Sequence, residues 1–215
     1  MIRKLTASGL ALIAVSAINA FAASTAQAEP VFTTSAGSSV SVHATGVGER
    51  LTIDGVTTVC PSPHYTGTAT NNSSTLVLSR VATHCTFAGT GLTVDVSMNG
   101  CAFHITLTVK VSSTLYRAHT KFLCESQPIR IQGTGTSCEA QISQTGNESL
   151  TTDDFTNEPG DLSLWFTLEG ITATVTQDGF LCPFSGTGTK TGGTFTSEAR
   201  GTVTAASGTL QISGE

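Results

Sequence analysis

The residues with the most chemical potential sit on two alternating runs around Asn99-Gly100. Leu92, Val94, Val96 and Met98 are apolar, with Thr93, Asp95 and Ser97 between them; beyond the turn Cys101, Phe103, Ile105, Leu107 and Val109 are apolar, with His104, Thr106 and Thr108 between them. Asn-Gly is the strongest short hairpin signal, because both central residues of a type I′ turn need positive φ. A two-residue loop pairs Met98 with Cys101, Val96 with Phe103, Val94 with Ile105 and Leu92 with Leu107, so turn chemistry and hydrophobic pattern choose one register. In that register Asp95 faces His104 on the polar side, their Cα atoms about 4.5 Å apart, with Ser97 and Thr106 nearby. A carboxylate orienting an imidazole is a fragment of a hydrolase triad. It is also an ordinary opposite-charge cross-strand pair that aids a sheet by roughly 0.2–1 kcal/mol. The chain has no G-x-S-x-G elbow, and a flat strand face presents a nucleophile poorly. The structural reading is therefore preferred; no catalytic residue is assigned, and Asp95 and His104 stand only as candidates.

Metal chemistry has one place to go. Residues 144–161 are the longest stretch without alternation and hold Glu148, Asp153, Asp154, Glu158 and Asp161, five of the fifteen acidic residues. Clustered carboxylates suit a hard cation such as Ca²⁺, but EF-hand spacing is absent, and a solvated acidic loop is the expected reading. Long loops carry function more often than short ones, so Asp153, Asp154, Glu158 and Asp161 remain the candidate ligands. His43, His64, His84 and His119 share no metal-binding spacing. Trp165, the single tryptophan, alternates with Leu164 and Phe166 and so points to the opposite face; a second sheet or loop packed over that face is the expected reading, and only if it is solvated could the indole stack on a sugar, as could Tyr65 or Tyr116. No cofactor motif is found.

All six cysteines, Cys60, Cys85, Cys101, Cys124, Cys138 and Cys182, lie beyond residue 28. Residues 1–28 read as a signal peptide: Arg3 and Lys4, an apolar run from Leu10 to Ala23, then Ala26-Gln27-Ala28 as the small-x-small cleavage pattern. The apolar run is broken by Ser16 and Asn19 and is shorter than the roughly 20 residues of a spanning helix. No other such segment follows, so the mature chain 29–215 is expected to have no membrane span and to be secreted, with the periplasm or cell wall as other destinations. An even cysteine count in an exported chain reads as three disulfides. Fifteen pairings are open; the sequential set, 60–85, 101–124 and 138–182, is preferred. No C-x-x-C occurs, which argues against zinc and thioredoxin-like chemistry.

These residues must be positioned by strands. Nothing past residue 30 keeps a 3.6-residue period, whereas alternation recurs throughout. The 38 threonines suit strand faces. Strands are expected near 31–35, 40–44, 50–59, 65–70, 75–81, 114–124, 129–132, 138–143, 194–204 and 209–213. Tight turns are expected at Asp178-Gly179, pairing Val175 with Cys182 and Ala173 with Phe184, and at Gly192-Gly193. Glu169-Gly170 reads either as a turn or as a bulge in one long strand. Many short strands with glycine-rich turns imply an all-β, antiparallel, disulfide-stabilised fold, a sandwich or barrel, expected as one domain over 29–215. Cys85-Thr-Phe-Ala-Gly-Thr-Gly91 echoes Cys182-Pro-Phe-Ser-Gly-Thr-Gly188, which raises a weak two-fold internal duplication as an alternative, but the other four cysteines do not repeat and the undivided domain is preferred.

The run from Gly179 to Phe195, the Val96–Phe103 segment and Cys85-Thr-Phe87 resemble the signatures of a family of secreted, six-cysteine β-proteins from actinobacteria. The resemblance implies an exported bacterial β-protein and assigns no catalytic or binding residue.

The net charge of −5, more negative once Arg3 and Lys4 are removed, excludes a protein that lives on phosphate contacts, so no nucleic-acid partner is expected. The expected function is a non-enzymatic binding or structural module at or outside the cell surface, of unknown ligand and with glycan as a conceivable contact. The alternatives are a secreted hydrolase using Asp95 and His104, or a protease-inhibitor-like module.

Overall fold

The computed structural model describes residues 28–81, 84–143, 153–158, 161–176, 181–199, 204–205 and 208–214. The signal-peptide reading of 1–28 and the turn at Asp178-Gly179 lie almost wholly outside them. Among the described residues there are seventeen strands and no helix. The first eight are β1 (Val31–Thr34), β2 (Ser39–Thr45), β3 (Val47–Ile53), β4 (Val56–Cys60), β5 (His64–Thr70), β6 (Thr75–Val81), β7 (His84–Phe87) and β8 (Thr93–Ser97). Then come β9 (Cys101–Lys110), β10 (Leu115–Cys124), β11 (Ile129–Gly133), β12 (Glu139–Ile142), β13 (Asp153–Glu158), β14 (Asp161–Thr176), β15 (Gly188–Ala199), β16 (Thr204–Ala205) and β17 (Leu210–Ser213).

Alternation makes these strands, and pairing makes a barrel. Fifteen strands form one sheet in the order β12-β11-β8-β7-β4-β3-β15-β14-β13-β10-β9-β6-β5-β2-β16. Because β12 also pairs with β14, the first eight strands of that order close on themselves. The junction is β14, long enough to serve two partners on one edge. Its first half pairs with β13 (Asp154↔Trp165), its second with β12 (Ala140↔Val175), and β15 runs along the other edge. From β13 a second arm continues through β10, β9, β6, β5 and β2 to β16, the strand that follows β15 in the chain. The two halves are stitched by one ribbon. β2 and β3 pair with β5 and β4 in a single continuous register from Ser39↔Thr70 to Ile53↔Val56, carried across the joint by Gly46 N–H to Pro63 O at 2.7 Å. A Cβ on Gly46 would sit 2.6 Å from Pro63 Cγ, so the close crossing needs glycine.

The disulfides are the sequential ones: Cys60–Cys85, Cys101–Cys124 and Cys138–Cys182. Within the barrel, Phe87 and Phe184 meet edge to face at 5.6 Å, and Val94, Ile131 and Val175 are buried as well. The second arm buries Tyr65, Leu76, Leu78, Ile105, Phe155 and Leu162. The ribbon β1–β17 covers it with Phe32, whose ring is 6.1 Å from Phe155, and Asn157 clamps both the N–H and C=O of Ile212.

Three expectations are corrected. The Asn99-Gly100 turn forms, with φ of 49° and 83° and a Cys101 N–H to Met98 O bond of 2.8 Å, but β8 and β9 do not pair. β8 lies between β7 and β11, β9 between β6 and β10. Alternation tells a strand which face to bury, not which neighbour to take, and here the turn carries the chain from barrel to second arm. Gly192-Gly193 is not a turn but lies inside β15, opposite a register shift between Leu168 and Ile171; Glu169-Gly170 is thus the bulge of one long strand. Val175 pairs with Gly188, not Cys182, and Ala173 with Lys190, not Phe184, because residues 181–187 form a loop that delivers Cys182 to Cys138. The two matching heptapeptides therefore differ locally: Cys85–Phe87 lies in β7, Cys182–Phe184 in that loop.

Candidate functional site

Separating β8 from β9 also separates the proposed dyad. Asp95 stands opposite His84 on β7 and Gln132 on β11, and its carboxylate accepts a hydrogen bond from Thr134 Oγ1 at 3.1 Å. His104 stands opposite Lys121 and Val77. Ser97 lies opposite Arg130, and Thr106 opposite His119 and Thr75. The strands bring no nucleophile, base and orienting acid together from these four residues.

Where the acidic stretch is described, it is strand rather than loop. Residues 144–152, with Glu148, lie outside the described residues, but β13 covers Asp153–Glu158 and hairpins onto β14, with Glu158 opposite Asp161. The alternation was hidden because Phe155 is the only apolar residue of the strand; it is fully buried while Asp154 points out. Asp154 Oδ1 lies 3.9 Å from Arg117 Nε, both side chains about half exposed. Among the described residues no three His, Cys, Asp or Glu side chains group to hold a metal ion.

Trp165 is 50% exposed on the outer face of β14. The register places it in a row across six strands: Val109, Arg117, Asp154, Trp165, Glu198, Val47. At about 4.8 Å per strand the row spans roughly 24 Å. Val109 and Val47 at its ends are also exposed. Tyr65 and Tyr116, by contrast, are 1% and 3% exposed and offer no sugar platform; both occupy inward phases of their strands.

Two polar groupings were not foreseen. The first is buried at the joint. Glu49 on β3 and Arg80 on β6 form an ion pair, Nε to Oε1 at 2.8 Å. The Tyr65 hydroxyl donates to Glu49 Oε2 at 2.7 Å and lies 2.8 Å from Ser197 Oγ. Arg80 Nη2 reaches Cys85 Sγ at 3.2 Å, touching the Cys60–Cys85 bond. Burial, and then the Glu49 charge, push the Tyr65 phenol well above its ordinary value. A signal existed: Glu49 is in phase with Leu51 and Ile53, and Arg80 with Leu76 and Leu78, so each charge sits where the alternation demands an apolar residue. The second grouping clamps the β3–β4 turn. Ser185 Oγ donates to Asp54 Oδ2, and Lys190 Nζ pairs with the same oxygen at 3.0 Å. The serine proton is thus aimed at the carboxylate rather than at the amine, an arrangement that holds a loop instead of activating a nucleophile. The Ser185 hydrogen bond, then Lys190, lower the Asp54 carboxyl below its ordinary value.

Above the buried ion pair is a cavity of about 40 Å³ that opens at a mouth to solvent. Seven of the eight barrel strands line it, and β6, β9 and β10 complete the lining with Arg80, Phe103 and Phe122. No helix of the described residues is long and apolar enough to cross a membrane. No protein-family model, curated protein or solved structure matches the chain.

Proposed function

We infer that this is an exported, non-enzymatic binding module, akin to the secreted six-cysteine bacterial proteins it resembles, that contacts glycan through the outer face around Trp165. Three disulfides on an all-β frame suit an oxidising, extracellular setting, and the leader-like residues 1–28 agree with it. The observation that carries the binding reading is the half-exposed indole of Trp165. A large aromatic left uncovered gives up burial that cores and interfaces use. Here it lies in a regular sheet face beside the Arg117–Asp154 pair. An indole face matches the C–H surface of a pyranose, and the flanking guanidinium and carboxylate can donate to and accept from its hydroxyls.

The test is a fluorescence titration of the purified protein with soluble neutral glucans, mannans and arabinogalactans. Binding shows as a saturable change in tryptophan emission with at least one glycan class. Trp165→Ala should abolish retention of the protein in a gel containing that glycan while leaving its thermal midpoint within a degree or two. Retention unchanged in Trp165→Ala, or emission indifferent to every glycan, refutes the reading.

A further inference from the structure

We propose that the barrel cavity is a second, independent binding site, for a small uncharged aromatic molecule carrying at most one hydroxyl or carbonyl group. An eight-stranded barrel has an interior that side chains just fill or that holds one small ligand. This one does both. The end near Phe87 and Phe184 is packed. The other end, between Leu168, Ile171 and Phe195, is not.

The walls select for a ring. Phe103 lies 5.2 Å from Phe122 and 5.4 Å from Phe195, centroid to centroid, so three aromatic side chains offer faces and edges to a flat guest. The floor selects against charge. Glu49 and Arg80 line the cavity but already neutralise each other, and the Glu49 carboxylate is further bonded by Tyr65. A carboxylate or ammonium guest would leave water for an apolar chamber whose one carboxylate and one guanidinium already cancel in charge, a transfer that costs far more than that of a neutral ring. One hydroxyl or carbonyl can instead be accommodated at the Glu49, Arg80 and Thr58 end.

Size sets the scale. One water needs roughly 10–15 Å³ of such space, and a closed apolar cavity of about 150 Å³ holds a benzene. The chamber of about 40 Å³ therefore takes part of a ring, and the rest of the guest occupies the mouth. Val96 and Met98, both only partly buried, line the cavity just before the Asn99-Gly100 turn. A methionine there can rearrange around a guest because its unbranched side chain repacks readily.

The experiment uses toluene, phenol and benzoate, three probes of similar size and different charge, with the purified protein. Binding is read as a saturable rise in thermal midpoint and by ligand-observed NMR. Toluene and phenol should bind at millimolar concentration or below, and benzoate at least about tenfold more weakly. Val96→Phe, filling the mouth from a partly buried position, should reduce phenol binding at least about tenfold; Leu168→Ala should strengthen it by enlarging the chamber. Should Leu168→Ala not fold, Ile142→Val serves the same purpose. Trp165→Ala should bind phenol as the parent does, which keeps this result separate from the glycan reading. Absence of saturable binding by toluene and phenol, equal binding of benzoate, or phenol binding unchanged in Val96→Phe overturns the proposal.

Discussion

Replacing Arg80 by methionine tests the joint between the two halves directly. In the parent, the Arg80 and Glu49 side chains are 1% and 5% exposed and 2.8 Å apart. Arg80→Met keeps an unbranched apolar stem but removes the guanidinium. The Glu49 carboxylate is left out of water with the Tyr65 hydroxyl as its remaining donor among the bonds described above. Stranding one partner of a buried pair destabilises by about 3–5 kcal/mol. For a protein of this size each kcal/mol moves the thermal midpoint by about 2–4 °C, so a fall of roughly 6–20 °C is expected. Urea unfolding followed by far-UV circular dichroism gives the free energy; half-exposed Trp165 makes emission a poor reporter. The decisive variant is Glu49→Gln/Arg80→Met, which removes both charges while leaving an amide for Tyr65. It should be more stable than Arg80→Met alone, since replacing a buried pair by neutral groups is often nearly neutral. A loss below about 1 kcal/mol in Arg80→Met, or a double variant whose loss equals the sum of the singles, refutes the claim that the two charges depend on each other.

Three further outcomes follow from named contacts. Because the Tyr65 phenol is held well above 10.0 in the folded state, the unfolded chain releases that proton first. Stability therefore falls as pH rises past that value, by up to about 1.4 kcal/mol per pH unit from this group. Tyr65→Phe should show a shallower alkaline fall in urea midpoint, and an equally steep fall would contradict the assignment. Asp54, lowered by Ser185 and Lys190, contributes stability that is present above 3.8 and lost as pH falls through its folded-state value. An NMR titration should find its midpoint moved toward 3.8 in Ser185→Ala; an unmoved midpoint would rule out the serine as the main cause. Gly67→Ala places a Cβ 2.1 Å from Val77 O and 2.9 Å from Leu78 Cδ2. It should lose about 1–3 kcal/mol of stability by overpacking, checked by urea unfolding, and a neutral result would show that β5 and β6 can separate there.

Local structure was legible where one face of a strand is wet. The period of two located β6 as 75–81 and β11 within a residue, and the sequential disulfides join segments close in sequence. What alternation could not supply was adjacency. Val94 and Ile105 have the phase of hairpin partners, yet each finds an equally apolar neighbour elsewhere: Val94 faces Cys85 and Gly133, Ile105 faces Leu76 and Thr120. Closure of the barrel depends on β14 changing partners halfway along, a property of its length that no residue type announces. Of the candidate site, alternation showed only that Trp165 lies on the face opposite Leu164; that this face is open to solvent came from the fold. The buried Glu49–Arg80 pair was visible only as two charges in the wrong phase, a signal that names a buried polar group but not its partner.

The β1–β17 ribbon has a bearing on how this molecule can be handled. It sets Val31 opposite Ser213, and the backbones of Pro30 and Gly214 approach closely enough that a Cβ on Gly214 would lie 2.7 Å from Pro30 Cα. A tether attached at either end of the described chain leaves from one place. Immobilised by its front or its back, the protein would present the same surfaces to its surroundings. A short peptide joining residues 30 and 214, with new ends opened at the Asp54-Gly55 turn, would preserve every strand pairing described here.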